Sequence, residues 1–236
     1  MFIKDFLFEP YQFAVRTILK NKKVLLPLFS FYIIVMTLLS CLFFFQIPQP
    51  EYKQSQTVSY ETKEGQTITK TTTESGYEYP VSYGALAILG AMLLCSIYNR
   101  YVWSILTVHY FKEETIHWRE IANLHNFKVF FKYFISQILF ILKLSIKSFF
   151  LIIPGIYHLV EQYFVGIPLL KNSNLSISED RKQAQALTLL NRFKVLIFAL
   201  LNGCLGLLFL TPITVIASVY LEEKLRKNRK SNSSTS

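Results

Sequence analysis

The sequence reads as an all-α membrane protein: a polytopic bundle of about five or six transmembrane helices, with one polar loop on the far side. Of its 236 residues 52% are hydrophobic and 17% charged, against roughly 25% charged in a soluble domain. The apolar residues fall in blocks long enough to cross the ~30 Å hydrocarbon layer. The net charge of +10 is unevenly placed. Residues 1–23 carry five basic and two acidic side chains, 171–194 five and two, and 222–236 five and two, whereas 46–82 carry three basic and five acidic. Short basic segments stay in the cytoplasm, so the N-terminus and the other two basic segments are expected there and the acidic loop opposite. The cations flank apolar spans, which points to anionic headgroups rather than nucleic acid as their partner.

In residues 1–23, Phe2, Phe6, Phe8, Tyr11, Phe13, Val15 and Ile18 mark the apolar face of a cytoplasmic interfacial helix interrupted at Pro10. Residues 24–45 hold 22 residues without a charge, ~33 Å of helix, and form the first span. The polar loop 46–82 contains QTVSYETKEGQTITKTT, whose alternation fits a small β-hairpin around Lys63, Glu64 and Gly65; a flexible Thr-rich loop is the equal alternative, since an isolated hairpin is marginally stable in water. The second span, 83–110, includes the small residues Gly84, Ala87, Gly90 and Ala91, which permit close helix approach. Arg100 interrupts it, a charge that costs ~2.5–3.5 kcal/mol near mid-depth unless it snorkels toward the cytoplasm. Residues 111–128 read as a short cytoplasmic amphipathic helix presenting Ile116, Ile121 and Leu124. His109, His117 and His125 recur there every eight residues, a repeat that turns each ring ~80° from the last, so no metal site is expected.

The third span, 129–153, carries the most unusual pattern. At 100° per residue Lys132, Ser136, Lys143 and Lys147 fall within ~60° of one another, a polar stripe on an apolar helix. Lys132 and Lys147 can snorkel to opposite interfaces, while Lys143 lies deeper and needs the bundle interior, water or an acid. A hairpin at Pro154-Gly155 brings the next helix back antiparallel and places Glu161 at the depth of Lys147 as the candidate partner of the stripe. The alternative has Glu161 facing the outer headgroups with His158. Arg100, Lys143, Lys147, His158 and Glu161 are thus the candidate intramembrane polar network, read as a structural ion pair ahead of a transport site.

Residues 156–170 form a short fourth span of 15 residues with Gly166 and Pro168, which crosses by bending or by thinning the bilayer. In 171–194, Ser176 followed by Glu179 is a capping box, and Ala184, Leu187, Leu190 and Phe193 line one face of a cytoplasmic helix. The last apolar block, 195–221, is ~40 Å as one helix and contains Asn202, Gly203, Gly206 and Pro212. It is either one tilted span or a re-entrant hairpin turning near Gly203 to Gly206; the hairpin keeps the basic tail, 222–236, in the cytoplasm. Cys41, Cys95 and Cys204 all lie in apolar blocks, which argues against a disulfide framework or a thiolate metal site.

Several stretches resemble one bacterial family, the integral membrane proteins similar to the membrane domain attached to some glycerophosphodiester phosphodiesterases. They are NKKVLLPLF at 21–29, IIPGIY at 152–157, YFVGIPLLKNSNLSISEDRKQAQALTLLNRFKVL at 163–196 and FLTPITVIASVYLEEKLR at 209–226. The resemblance implies about six helices in a bacterial inner membrane. It carries over no catalytic residue, because the enzyme domain with its acidic metal ligands and histidines is absent from these residues. An Asp pair, H-E-x-x-H, G-x-S-x-G and a phosphate-binding Gly loop are all missing, so neither an enzyme nor a cofactor is expected. What remains is a non-catalytic factor that organises membrane lipids or a membrane-protein partner, including a second copy of itself. The alternative is a small transporter of an anionic solute or lipid built on Lys132, Lys143 and Lys147.

Overall fold

A computed structural model of the chain describes residues 3–47, 51–63, 66–78, 82–113, 126–207 and 210–233. The amphipathic segment expected around Ile116, Ile121 and Leu124, with His117 and His125, lies outside them. The chain divides into two compact units, one of Met1–Met36 with Leu94–Ser236 and one of Thr37–Leu93.

The smaller unit contains two strands, β1 (Glu51–Lys63) and β2 (Gln66–Glu78), paired antiparallel in unbroken register from Glu51↔Glu78 to Lys63↔Gln66. Thr57↔Thr72 and Tyr60↔Thr69 are among the pairs, the β-branched and aromatic residues that favour a pleated surface. Outside these strands the regular structure of the described residues is helical.

The larger unit begins with a wide helical turn over Ile3–Phe8 that leads into α1 (Glu9–Lys20), and α2 (Lys22–Gln46) starts immediately after it, its residues from Thr37 on belonging to the smaller unit. Pro10 does not interrupt the first helix as expected. It stands where the wide turn over Ile3–Phe8 gives way to α1, and the helical run continues through it, with Phe8 already helical. α3 (Tyr83–Glu113) and α4 (Phe127–Phe150) follow. Asn126 caps α4 by accepting from the N–H groups of Lys128 and Val129. By length and composition α2, α3 as far as Phe111, and α4 are able to cross a membrane; a fourth apolar run is made by two later helices, α7 (Ile177–Thr188) and α8 (Arg192–Leu207), which meet at 107°. Only 11% of the most apolar window of α2 is buried. Phe31, Phe44, Phe45, Tyr83, Phe149 and Ile153 are all more than half exposed, apolar surface of the kind that lipid rather than water covers.

The middle of the chain departs from expectation. α4 ends at Phe150, an extended Leu151 makes the hinge, and α5 runs over Ile152–Glu161. Pro154 and Gly155, expected at the turn, lie in the first turn of α5, where proline is tolerated. Gly155 there packs against α4, with Ser148 so close that a Cβ would fall 3.0 Å from its Cα. The expected single helix over 156–170 is two pieces. It stops at Gln162, passes through turns and restarts as α6 (Ile167–Lys171), because Gly166 adopts φ 91° and Pro168 opens the new helix.

The last apolar block is also two helices, α8 and α9 (Thr211–Ser233). The break falls ahead of Pro212 rather than at Gly203 to Gly206, which stay helical in α8. The two helices fold back on each other: Asn202 of α8 donates to Ser218 Oγ of α9 at 3.0 Å, and also to the hydroxyl of Tyr163. The residues from Glu222 to Ser233, expected as a basic tail, continue α9.

The core is aromatic, with Tyr101, Trp103, Tyr133, Phe164 and Phe198 almost fully buried. α1 packs on α9 through stacked Phe13 and Tyr220 and a carboxylate, Glu9, that accepts from Tyr220 and Lys224.

Candidate functional site

The hinge at Leu151 turns α5 back along α4, so the second half of α4 and the whole of α5 face each other. His158, 6% exposed, then stacks on Phe140 with ring centroids 5.9 Å apart. Its Nδ1 lies 3.4 Å from Lys147 Nζ. An ammonium only donates, so Nδ1 accepts and the ring proton sits on Nε2. That Nε2 is buried and has no partner. One helical turn on, Gln162 is 8% exposed, and its Oε1 is likewise buried and unpartnered.

α7 supplies the opposite wall. Ser176 and Glu179 form the capping box expected of them, and donation from the Ser176 N–H holds the Glu179 carboxyl below its usual range. The next two residues do the unexpected. Asp180, fully buried, accepts from Ser136 Oγ at 2.9 Å, from Gly166 N–H at 3.0 Å and from Leu169 N–H at 3.3 Å. Arg181 lies within electrostatic range of His158, and its Nε and Nη2 are both buried without a partner.

Lys147 is brought to His158, and Lys143 lies in the field of the same ring, but Glu161 is not their counter-ion. It accepts from Gln185 Nε2 at 3.1 Å and pairs with Arg192 at 3.4 Å. The physical reason is its place at the end of α5, about 4.5 Å further along the axis than His158, next to α7 and α8 instead of α4. Lys143 and Lys147 are exposed. Lys132 leaves the stripe by donating to the carbonyls of Ser173 at 3.0 Å and Leu175 at 3.2 Å, and so ties the loop after α6 to α4. Arg100 is not part of the cluster; it lies in the field of the buried hydroxyls of Tyr133 and Tyr163.

Lys143, Lys147 and Arg181 thus lie in the field of His158, with Arg192 paired to Glu161 beyond it and the Asp180 carboxylate bonded to Gly166. Asp180 lies in the field of Arg181, so four cations less two carboxylates leave a formal charge of +2. Such a site suits an oxyanion. Among the described residues no group of three or more His, Cys, Asp and Glu side chains is arranged to hold a metal.

Arg181, Gln162, Gln185 and Asp180 were missed by sequence reasoning. A signal existed for Asp180: it shares the face of Ala184 and Leu187, at i, i+4 and i+7, and both of those are buried. Nothing comparable marked Arg181. No family model, curated protein or solved structure matches the chain.

Proposed function

We propose that this chain is a non-catalytic multi-pass protein of a bacterial inner membrane that binds anionic lipid headgroups and organises lipid or a membrane-protein partner. The observation that carries this reading is the joining of the basic segments. Lys224 of α9 pairs with Glu9 of the N-terminal segment, and Lys171 after α6 pairs with Glu222 and Glu223 of α9. Segments tied by ion pairs lie on one side of a bilayer, and the density of Lys and Arg makes that side the cytoplasm. Around it we place a bundle of five spans: α2, α3, α4, the short α5–α6 segment, and the α8–α9 hairpin re-entering from the cytoplasm. The β1–β2 hairpin is then extracytoplasmic. The resemblance of 163–196 to the membrane domain of glycerophosphodiester phosphodiesterases supports the same topology without an enzymatic role.

Cysteine labelling in a background lacking Cys41, Cys95 and Cys204 tests it. Ser234→Cys is expected to react with a membrane-impermeant maleimide only after the cytoplasmic side is opened, and Thr71→Cys in intact cells. Labelling of both from the same side overturns the topology. Transport of an anionic solute is the second reading, favoured by the exposure of Lys143 and Lys147 on one face of α4.

A further inference from the structure

The geometry points to a phosphate-binding pocket between α4, α5 and α7, with Arg181 and His158 as its donors. This rests on the headgroup-binding reading and names its site. Nε and Nη2 are the adjacent donors on the side-on edge of a guanidinium, spaced to meet two oxygens of one phosphate or carboxylate. Both are buried and unpartnered in Arg181, as is His158 Nε2, the donor left once Lys147 occupies Nδ1. A buried donor without an acceptor is costly, and Arg181 and His158 hold three of them, with Arg192 Nε a fourth in the same cluster. Gln162 Oε1, the unpartnered acceptor a turn from His158, suits a protonated phosphate oxygen or a headgroup hydroxyl, which favours phosphate over carboxylate. Lys143 and Lys147 are exposed on the same side and form the mouth, where their charge attracts the anion.

The phosphate belongs either to a lipid headgroup or to a free solute, and one set of measurements separates them. The detergent-purified, delipidated full chain is titrated with inorganic phosphate while its melting temperature is followed. The same protein in nanodiscs of phosphatidylcholine, with or without phosphatidylglycerol, is examined by native mass spectrometry for retained lipid. Arg181→Lys keeps the charge and removes the two-donor edge; His158→Asn is the second variant, and the exposed neighbour Lys182→Gln is the control. We expect Arg181→Lys and His158→Asn each to weaken binding about tenfold or more, and Lys182→Gln to leave it unchanged. If Arg181→Lys fails to fold, His158→Asn alone decides. Loss of phosphatidylglycerol retention assigns the pocket to a headgroup, and loss of the phosphate-induced stabilisation to a free anion. Anionic lipid retained equally by wild type, Arg181→Lys and His158→Asn overturns the pocket while sparing the headgroup reading. A wild-type chain that retains no anionic lipid and ignores phosphate overturns both.

Discussion

Asp180 shows how one carboxylate organises its surroundings. It is fully buried, and it takes the N–H groups of Gly166 and Leu169, which are orphaned because Gly166 breaks the helix and α6 has only just begun. The same carboxylate reaches Ser136 on α4, so a single side chain fixes the break, the start of α6 and the contact of α7 with α4. Gly166 cannot be replaced by another device: its φ of 91° disfavours a side chain, and a Cβ would approach the Tyr133 ring to 2.6 Å. Asp180→Ala leaves three donors dry in a closed core. At ~1–3 kcal/mol for each unsatisfied buried group, the loss is expected to reach about 3 kcal/mol or more in denaturation of the detergent-solubilised protein. Asp180→Asn keeps one acceptor oxygen and is expected to lose roughly half as much. Equal stability of Asp180→Ala and wild type would show that these bonds are formed just as well by other groups.

At the scale of elements, the parts that could be read from the sequence were those governed by local chemistry. An uncharged run of apolar residues is sufficient to define α2, and Ser176 with Glu179 to start α7. Depth arithmetic about a turn at Pro154-Gly155 paired Lys147 with Glu161; the return falls earlier, at Leu151, and Lys147 meets His158 instead. What could not be read depended on residues far apart in sequence. The partner of Glu161 is Arg192, 31 residues on; the conformation of Gly166 is sheltered by Tyr133; and α9 continues through Glu222 because Lys171 and Arg226 satisfy its buried carboxylate. The α4–α5 hairpin depends on one small residue. Gly155 lets α5 approach until a Cβ would sit 2.2 Å from Ser148 Oγ, and the buried His158 lies on the next turn. Gly155→Val is expected to pry the two helices apart, to cost on the order of 2–3 kcal/mol by overpacking, and to bring a Cys placed at His158 within reach of a thiol reagent that does not label it in the Gly155 background. Unchanged labelling would mean that the hairpin tolerates the extra volume.

Over the whole larger unit, the charged ends of distant segments act as ties. α1, near the start of the chain, is joined to α9, near its end, by Glu9 with Lys224 and Tyr220 and by the stack of Phe13 on Tyr220. Donation from Lys224, and after it from Tyr220, holds the Glu9 carboxyl below its usual range. A carboxylate whose value is depressed by folding adds stability that is complete above its unfolded value, ~4.3, and is lost as the pH falls through the lower folded one. The Glu9 side chain is 41% exposed, so water and salt screen the pair and its contribution is small. The expectation is therefore a difference in slope. Between pH 5 and pH 3 the melting temperature of wild type should fall more steeply than that of Glu9→Gln, which should already be lower at pH 7, and added salt should narrow the gap at pH 7. The other carboxylates are the same in both proteins and cancel in the comparison. Parallel slopes would show that Glu9 titrates alike in the folded and unfolded chain, and the tie between the two ends would then rest on the aromatic stack.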